Sequence, residues 1–327
     1  MLKVKFTTQP ITEMDVKESS KFIYNFWKKQ GWIPDFAIKD IKIILKELID
    51  WSPKSKLISV YSEGGELLGW LINYIRNETT IEINPWGLRG HPIILSEKYY
   101  EIAKLLIKKA IDQAYEDGFS RIELIYPVRK EEDEAKVQEY KQFYEALNFT
   151  PIAILGHVTC NLNEKMNVYP LREEITINTL TSMNEEQLFN CYKEIFRDSE
   201  GNKYADLTEE EIRSLFKEVF ECRVCLIDEA SHVFTKNDEI IAFSIVRTTY
   251  GENNGHIWMI GVHPKYRRQG IGQALLSRIK KTLFENGFKT ASAGYDLMND
   301  AADKLFNKLD FKPVKIDVDY ISSKLEK

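Results

Sequence analysis

The segment GVHPKYRRQGIGQALL, residues 261–276, has the composition of a site for a large anion. Gly270 and Gly272 stand two residues apart, directly after Arg267 and Arg268. A strand-like run precedes the segment, and the residues after it have the apolar spacing of a helix. A helix start presents N–H groups without partners at the positive end of the helix dipole. Because glycines let a bulky anion approach the backbone, the segment predicts a pyrophosphate site.

Two common phosphate-binding motifs do not describe this segment. A Walker A loop requires a Gly-Lys-Ser/Thr ending, and a dinucleotide-binding loop requires G-x-G-x-x-G; neither occurs here. A helix start that contains glycines but binds nothing stays open as the alternative interpretation.

Composition restricts the class of protein. The chain has 327 residues, of which 43% are hydrophobic and 29% charged, which is typical of a globular protein with about two domains. A net charge of −5 argues against a broad nucleic-acid surface. No stretch approaches a membrane span, and the opening MLKVKFTTQP lacks the apolar region of a signal peptide. We therefore expect a cytoplasmic protein with no nucleic-acid or membrane partner.

Four cysteines do not make a disulfide framework in a chain of this length. Cys222 and Cys225 have CxxC spacing, but no second pair accompanies them. Residues three apart in a strand point to opposite faces, so we interpret them as structural and expect no metal site.

The chain contains an internal duplication. Aligning Phe149 with Phe311 places Leu147 on Leu309 and Tyr144 on Phe306. Upstream, EDGFSRIELIYP parallels ENGFKTASAGYD, which aligns the glycines at 118 and 287. We expect two domains, 1–165 and 166–327.

Both halves show the same order of elements: a strand, two helices, two or three strands, a long helix, a strand, a short helix and a closing strand. This order predicts an α/β (α+β) fold in which each domain is a mixed, mostly antiparallel sheet flanked by helices. The predicted helices are 12–30, 39–50, 96–117, 133–147, 184–197, 207–220, 270–286 and 298–308. The predicted strands are 2–8, 56–62, 66–76, 79–84, 121–127, 173–180, 223–235, 239–249, 256–262 and 289–295, besides the two closing strands.

The second half resembles a known family. VHPKYRRQGIGQALL is similar to motif A of the GNAT superfamily of acyl-CoA-dependent N-acyltransferases, whose signature Arg/Gln-x-x-Gly-x-Gly/Ala falls on Arg267, Gly270 and Gly272. NDAADKLFNKLDF resembles motif B of the same family. The resemblance is specific over 232–325, and the layout is similar to that of tandem-domain members.

The resemblance implies acetyl-CoA, or another acyl-CoA, as the donor. The 267–272 backbone would hold the pyrophosphate, the strand end at 260–262 would pair with the pantetheine arm, and Asn299 would reach it from the next helix. The residues expected to contact the coenzyme are Ile260, Gly261, Val262, Arg267, Arg268, Gln269, Gly270, Ile271, Gly272, Asn299 and Phe306.

The catalytic groups are less well defined. Family members often have a tyrosine that acts as the general acid where this chain has Phe306, and phenylalanine cannot donate a proton. Tyr295 and Tyr320 are the candidates to replace it, and protonation by water is the alternative. His256 falls where some members have a glutamate base. By alternation it shares a face with Trp258, Ile260 and Val262, and it is either the base or a histidine bonded to a carbonyl.

The acceptor is a primary amine that the sequence does not identify, either a small molecule or a peptide. Asp198 and Glu200 would hold a cationic amine or belong to a solvated loop. In the first half, Pro92 and Ile93 replace the glycines, so we expect a degenerate domain that supports the acceptor site; Arg89 and His91 are its possible anion ligands. The predicted activity is amine acetylation by direct attack. The alternatives are a longer acyl group, or an acyl-CoA-binding protein without catalysis. The oligomeric state is open.

Overall fold

The computed structural model describes residues 3–29, 38–84, 92–94, 96–129, 134–197, 207–221, 225–249 and 253–323. The chain divides into two compact units. Unit 1 comprises Met1–Ile152 together with Asp317–Lys327, and unit 2 comprises Ala153–Ile316. The two units therefore have different bounds from the two halves that the repeat predicts.

Unit 1 contains four helices and a mixed sheet among its described residues. Its strands follow the order β1-β2-β3-β4-β6, continued by the Asp317–Ser323 segment of β13, with β5 beside β3. The elements are β1 (Val4–Pro10), α1 (Val16–Lys29), α2 (Ile38–Trp51), β2 (Lys56–Ser62), β3 (Leu67–Ile75), β4 (Thr80–Ile83), β5 (Ile93–Ile94), α3 (Tyr99–Glu116), β6 (Arg121–Arg129) and α4 (Glu134–Glu145). Strands β4 and β6 are parallel, and the pairs β1–β2, β2–β3 and β3–β4 are antiparallel.

Unit 2 repeats this plan. Its strand order is β7-β12-β11-β10-β9-β8, in which β11 and β12 are parallel and the other neighbours antiparallel. The elements are β7 (Thr150–Asn161, from Ala153 onward in this unit), β8 (Thr176–Thr179), α5 (Glu185–Arg197), α6 (Glu209–Glu221), β9 (His232–Lys236), β10 (Glu239–Thr248), β11 (Asn254–Val262), α7 (Ile271–Glu285), β12 (Thr290–Asp296), α8 (Asp300–Lys308) and β13 (Lys312–Ser323). The mixed, mostly antiparallel sheet flanked by helices is thus present in both units.

The closing strands explain why the units differ from the predicted halves. β7 follows the last helix of the first half, yet its residues from Leu155 to Asn161 pair with β12 of unit 2. β13 follows the last helix of the second half, yet its part from Asp317 belongs to unit 1, where Tyr320 enters the core. Each unit is therefore completed by the strand that ends the other half. Strand-like patterning does not reveal this exchange, because it specifies a strand and not its partner.

Two sequence-based expectations about local structure are wrong. Instead of a strand over 223–235, the chain forms a short 3₁₀ turn at Asp228–Ala230, and β9 begins only at His232. Asp228 stabilises that turn by accepting bonds from the amide (3.0 Å) and hydroxyl (2.6 Å) of Thr181. The helix predicted over 96–117 begins only at Tyr99, and Ser96 before it accepts a bond from the Lys98 amide at 3.2 Å.

Each face of the unit 2 sheet packs on a different pair of helices. One face, which we call face A, carries the apolar side chains that pack with α7 and α8, among them Ile257, Leu275 and Phe306. The opposite face, face B, packs on α5 and α6 through a cluster that includes Phe243 and Phe216. In the described part of the chain, no helix is long and apolar enough to cross a membrane.

Candidate coenzyme and acyl-transfer site

The glycine loop of unit 2 joins the carboxyl end of β11, an interior strand of the sheet, to α7. Arg268 and Gly270 both have left-handed backbone conformations, with φ of 61° and 77°. The helix starts immediately afterwards at Ile271, and no side chain caps it. A Cβ added to Gly270 would meet nothing within 4 Å, so space for a ligand lies against its backbone. Two left-handed residues directly before a helix start without a side-chain cap favour an anion-binding arrangement of the backbone N–H groups.

Arg267 holds the loop instead of projecting from it. Its Nε donates to the carbonyl of Val262 at 3.1 Å, and its Nη2 reaches the carbonyl of Ile195 at 3.4 Å. The first residue of the motif therefore ties the loop to the end of β11 and to α5. Arg268 and Gln269 follow it, and both are exposed.

Strands β11 and β12 separate in front of this loop. They are paired from Asn254–Thr290 to Ile257–Ala293, and no further rung forms between described residues of the two strands. On its other edge β11 stays paired with β10 as far as Val262. The edge of 258–262 that faces β12 thus has main-chain groups without a strand partner. An extended chain with amide groups, such as pantetheine, can bond to such an edge.

A bulge at the start of the separation changes the faces of β11. The register with β10 shifts between Ile245 and Val246, which leaves Trp258 as the extra residue. Ile257 and, three residues later, Ile260 both pack in the face A cluster, so the bulge interrupts the alternation. The expectation that His256 shares a face with Ile260 and Val262 is wrong for this reason.

Gly261 is needed for packing. A Cβ at this position would lie 2.7 Å from Cγ2 and 2.9 Å from Cδ1 of Ile195, a residue of α5. The glycine therefore lets α5 approach β11 closely beside the loop. Gly272 is less constrained, since an added Cβ would make ordinary contacts of 3.5 Å with Val262 and 3.6 Å with Leu305.

His256 lies on face B in a polar row. Its Nδ1 is 2.9 Å from the hydroxyl of Ser292, which also accepts a bond from the Asn254 amide at 2.8 Å. Burial, with contributions from the positive groups His157, Arg247 and Lys315, lowers the pKa of His256 to about 4. The imidazole is therefore neutral near pH 7 and a weak proton acceptor.

Tyr295 lies beside Phe306, the position to which the family resemblance assigns a general-acid tyrosine. The two rings are stacked with centroids 5.4 Å apart, and Phe306 is buried against Phe311. The Tyr295 hydroxyl donates to Oδ1 of Asp303 at 2.6 Å. Burial and this hydrogen bond to a carboxylate raise the pKa of Tyr295 to about 12.

The remaining candidates have other placements. Asn299 caps α8, its Oδ1 accepting a bond from the Ala302 amide at 3.0 Å. Ile271 is buried in the face A cluster. Tyr320 lies in the core of unit 1, its ring 5.4 Å from that of Tyr144, so it does not belong to the unit that carries the loop.

Several expected residues lie outside the described residues. They are Asp198 and Glu200 of the proposed acceptor loop, Arg89 and His91 of the first half, and Cys222 of the CxxC pair. Its partner Cys225 precedes the turn at Asp228–Ala230 and is not part of a strand. The described residues contain no group of three or more His, Cys, Asp or Glu that could hold a metal ion.

Sequence reasoning missed three features of the site. Trp258 is 44% exposed at the bulge, and the buried guanidinium of Arg247 stacks on its ring at 3.9 Å. Asp303 binds the Tyr295 hydroxyl from one turn into α8. The segment Pro170–Arg172 lines a small cleft with Gly270. Of these three features, only Asp303 had a local signal in the sequence, namely its place one turn after the cap residue Asn299.

Comparisons with known proteins agree with this geometry. The sequence profile of the Acetyltransferase (GNAT) family matches residues 186–311. An acetyltransferase of Sodalis glossinidius is 33% identical over 75 residues, which are 22% of this chain and 53% of that protein. An acetyltransferase of Yersinia pestis (strain Pestoides F) is 35% identical over 72 residues, which are 21% of this chain and 51% of that protein. The chain thus spans about half the length of these relatives.

Solved structures share the fold over the full length. A GCN5-related N-acetyltransferase from Sphaerobacter thermophilus superimposes with a TM-score of 0.69 at 14% identity, covering 99% of this chain and 97% of that one. A tandem GNAT protein from the clavulanic acid biosynthesis pathway gives a TM-score of 0.64 at 13% identity, covering 98% of each chain. At these identities the likeness concerns the fold.

Proposed function

Because this chain is a member of the GNAT superfamily, we propose that it transfers an acetyl group from acetyl-CoA to a primary amine, with the coenzyme held by unit 2. The observation that carries the proposal is the coincidence, in one unit, of a left-handed glycine loop at a helix start and an unpaired strand edge in front of it. Together they offer sites for a pyrophosphate and for an amide-containing arm.

The residues present fit an acyl-CoA. The main chain from Arg268 to Gly272 and the dipole of α7 would bind the pyrophosphate, and the edge of 258–262 would bind the pantetheine amides. The space beside Gly270, which any side chain would enter, supports this assignment. When bound, the coenzyme supplies an activated thioester as acyl donor.

The side chains of unit 2 position the reactants and do not relay protons. With a pKa of about 4, His256 cannot take a proton from an alkylammonium group whose pKa is about 10 without a large cost. We assign its Nε2 as the protonated nitrogen, because Ser292 already accepts from Asn254 and so has its hydroxyl proton free for Nδ1. In this role His256 is a hydrogen-bond donor and not a base. The amine must therefore reach the site already deprotonated.

Tyr295 has a similar limitation as an acid. Its proton is held by Asp303, and its pKa of about 12 exceeds that of a thiol, about 8.5. We propose that solvent exchanges the protons and that the Tyr295–Asp303 pair fixes the end of β12 against α8. Tyr320 and Phe306 have no proton-transfer role in this scheme.

Calorimetric titration of acetyl-CoA, followed by a panel of primary amines assayed for thiol release, tests the proposal. We expect one site per chain and turnover with at least one amine. Two sites per chain would mean that unit 1 also binds the coenzyme, and no binding would refute the assignment of the loop.

A second candidate function is acyl-CoA binding without transfer. It is favoured by the weak basicity of His256 and by the hydrogen-bonded Tyr295. Saturable acetyl-CoA binding with no thiol release across the amine panel would support this function over the first. Thiol release no faster than in the absence of protein, with and without amine, would have the same meaning.

A further inference from the structure

Unit 2 has a second cleft whose lining differs from that of the glycine loop. Its volume is about 690 Å³, within the range of small-molecule sites. The end of β7, the segment 163–169, the middle of α7 and the end of α8 form its walls. None of the residues from Arg267 to Gly272 lines it.

The charge of the cleft is strongly positive. Lys165, Lys280, Lys308 and Lys312 line it, against Asp310 as the one carboxylate among its described lining residues. Within the described part of the chain, none of these four ammonium groups forms an ion pair. Such an uncompensated group of cations attracts anions of several charges.

Lys280 shows that the positive charge extends into the interior. The residue is only 4% exposed. Its Nζ donates to the carbonyl of Leu309 at 2.6 Å and lies 5.6 Å from the ring centre of Phe311. Burying an ammonium group without a counter-ion is costly, and a helix end supplies only about half a negative charge. Two N–H bonds of the group remain for a ligand in the cleft.

The segment 163–169, which forms one wall of the cleft, is held in place by hydrogen bonds of Tyr169 to α7. The amide of Tyr169 donates to the Ser277 hydroxyl at 3.1 Å, and its carbonyl accepts from Nη1 of Arg278 at 2.6 Å. Lys308 lies 6.0 Å from the centre of the Tyr169 ring. These bonds hold the wall of the cleft against α7.

We propose that this cleft binds a small multivalent oxyanion, a phosphorylated or polycarboxylate metabolite, at a site separate from that of the coenzyme. The buried Lys280 binds the anion at the base, and Lys312 and Lys165 bind it from the sides. This site does not depend on the acyl-transfer activity of the chain.

Calorimetric titrations with inorganic pyrophosphate and with citrate test the proposal and distinguish phosphate from carboxylate ligands. They are performed on wild-type protein saturated with acetyl-CoA and on the Gly270→Glu variant, so that the glycine loop cannot account for the heat. Lys280→Met and Lys312→Gln remove charge from the cleft. Lys281→Gln is the matched control, since Lys281 is the next residue of α7 and pairs with Glu285 outside the cleft.

We expect one saturable site for at least one probe in both preparations. Lys280→Met should weaken it by roughly tenfold or more, as expected for losing a charged hydrogen bond, and Lys312→Gln by a smaller factor. Lys281→Gln should leave it unchanged. Because Lys280→Met also removes a bond to Leu309, the Lys312→Gln result keeps the test valid if the first variant is unstable.

Three results would overturn the proposal. One is no saturable binding of either probe. Another is loss of binding in Gly270→Glu, or displacement by acetyl-CoA, since either would place the anion in the coenzyme site. The third is an affinity for both probes that is unchanged in Lys312→Gln and in folded Lys280→Met.

Discussion

Helices α3 and α7 follow matching strands in the two units, but they begin differently. Counting back from Gly118 and Gly287 aligns Glu101 with Gly270 and Tyr100 with Gln269. Where unit 2 has a left-handed loop, unit 1 is already helical. Glu101 lies in the first turn of α3, where its charge satisfies the helix dipole and would repel an anion.

Aromatic side chains occupy the same end of α3. Tyr99 stacks with Phe26 at 6.3 Å, and Tyr100 contacts Tyr140 at 5.9 Å and Phe143 at 5.4 Å. The matching end of α7 has no aromatic neighbour of this kind among the ring contacts of its described residues. The start of α3 is thus packed against aromatic rings, whereas the residues just before α7 are exposed.

The parallel strand pairs of the two units also differ at one matching position. In the parallel pair of unit 1, Glu82 lies opposite Glu123; in that of unit 2, His256 lies opposite Ser292. Glu82 is buried, and its charge is balanced by Arg76, whose Nη1 lies 3.4 Å from Glu82 and 3.1 Å from Glu123. One unit keeps the carboxylate without the glycine loop, and the other keeps the loop without the carboxylate.

Gly270→Glu gives unit 2 the residue that unit 1 has at this place, and we expect it to abolish acetyl-CoA binding. The carboxylate would stand where the pyrophosphate binds, and the side chain must adopt φ of 77°. Calorimetry measures the loss. Gly287→Glu is the control, because Gly287 also has positive φ (85°) and open space but lies at the other end of α7. Equal affinities in wild type and Gly270→Glu would contradict the loop assignment.

Acid should destabilise unit 2 through His256. Its folded pKa of about 4 lies below the unfolded value of 6.5, so the unfolded state binds the proton first. This stabilisation is complete above pH 6.5 and is lost as the pH falls towards 4, by about 3 kcal/mol at most. His232, whose pKa burial also lowers, acts in the same direction.

Urea unfolding at pH 7 and pH 5 measures this effect, with hydrogen exchange to separate the units. His256→Gln should reduce the difference between the two pH values, and His263→Gln, on the turn after β11, is the control. An unchanged pH dependence in His256→Gln would show that folding does not lower the pKa of this imidazole.

Glu82→Gln should lower the free energy of unfolding of unit 1 by about 1–3 kcal/mol, because it leaves Arg76 and Arg121 with a single carboxylate. Denaturant unfolding followed by exchange of the β4 amides measures it. Glu63→Gln is the control, since its 3.8 Å pair with Lys3 is exposed and worth about 0–1 kcal/mol. Acetyl-CoA affinity should not change; a parallel loss would mean that the two units are coupled.

Tyr295→Phe should have the smallest effect. A general acid contributes about 10²–10⁴-fold, whereas we expect kcat within about threefold of wild type. Phe306→Tyr, which copies Tyr144 of unit 1, should not raise kcat either, because the ring is buried. A hundredfold loss of kcat in Tyr295→Phe that is not reversed in the double variant with Asp303→Asn would instead make Tyr295 the acid.

Local patterns predicted most of the elements correctly. The helix bounds of α2, α5 and α7 were within one or two residues, because apolar spacing marks these helices and Gly287 follows the end of α7. The loop was found because its chemistry lies in consecutive residues. The GNAT family model matches residues 186–311, and solved structures, one of them a tandem GNAT protein, share the predicted fold. The errors have a common cause. The bulge at Trp258 and the turn at Asp228 depend on partners distant in sequence, and the Tyr295–Asp303 bond depends on how α8 folds back on β12.

The sequence by itself indicated that the chain holds two copies of one fold and that the second carries a glycine-containing loop at a helix start. Both facts depend on neighbouring residues: glycines, apolar periodicity and the bulk of a few side chains. Tertiary structure decided which strand closes each unit and how burial sets the proton affinities of His256 and Tyr295. Strand pairing and desolvation depend on what packs against a residue, and no local stretch of sequence specifies that.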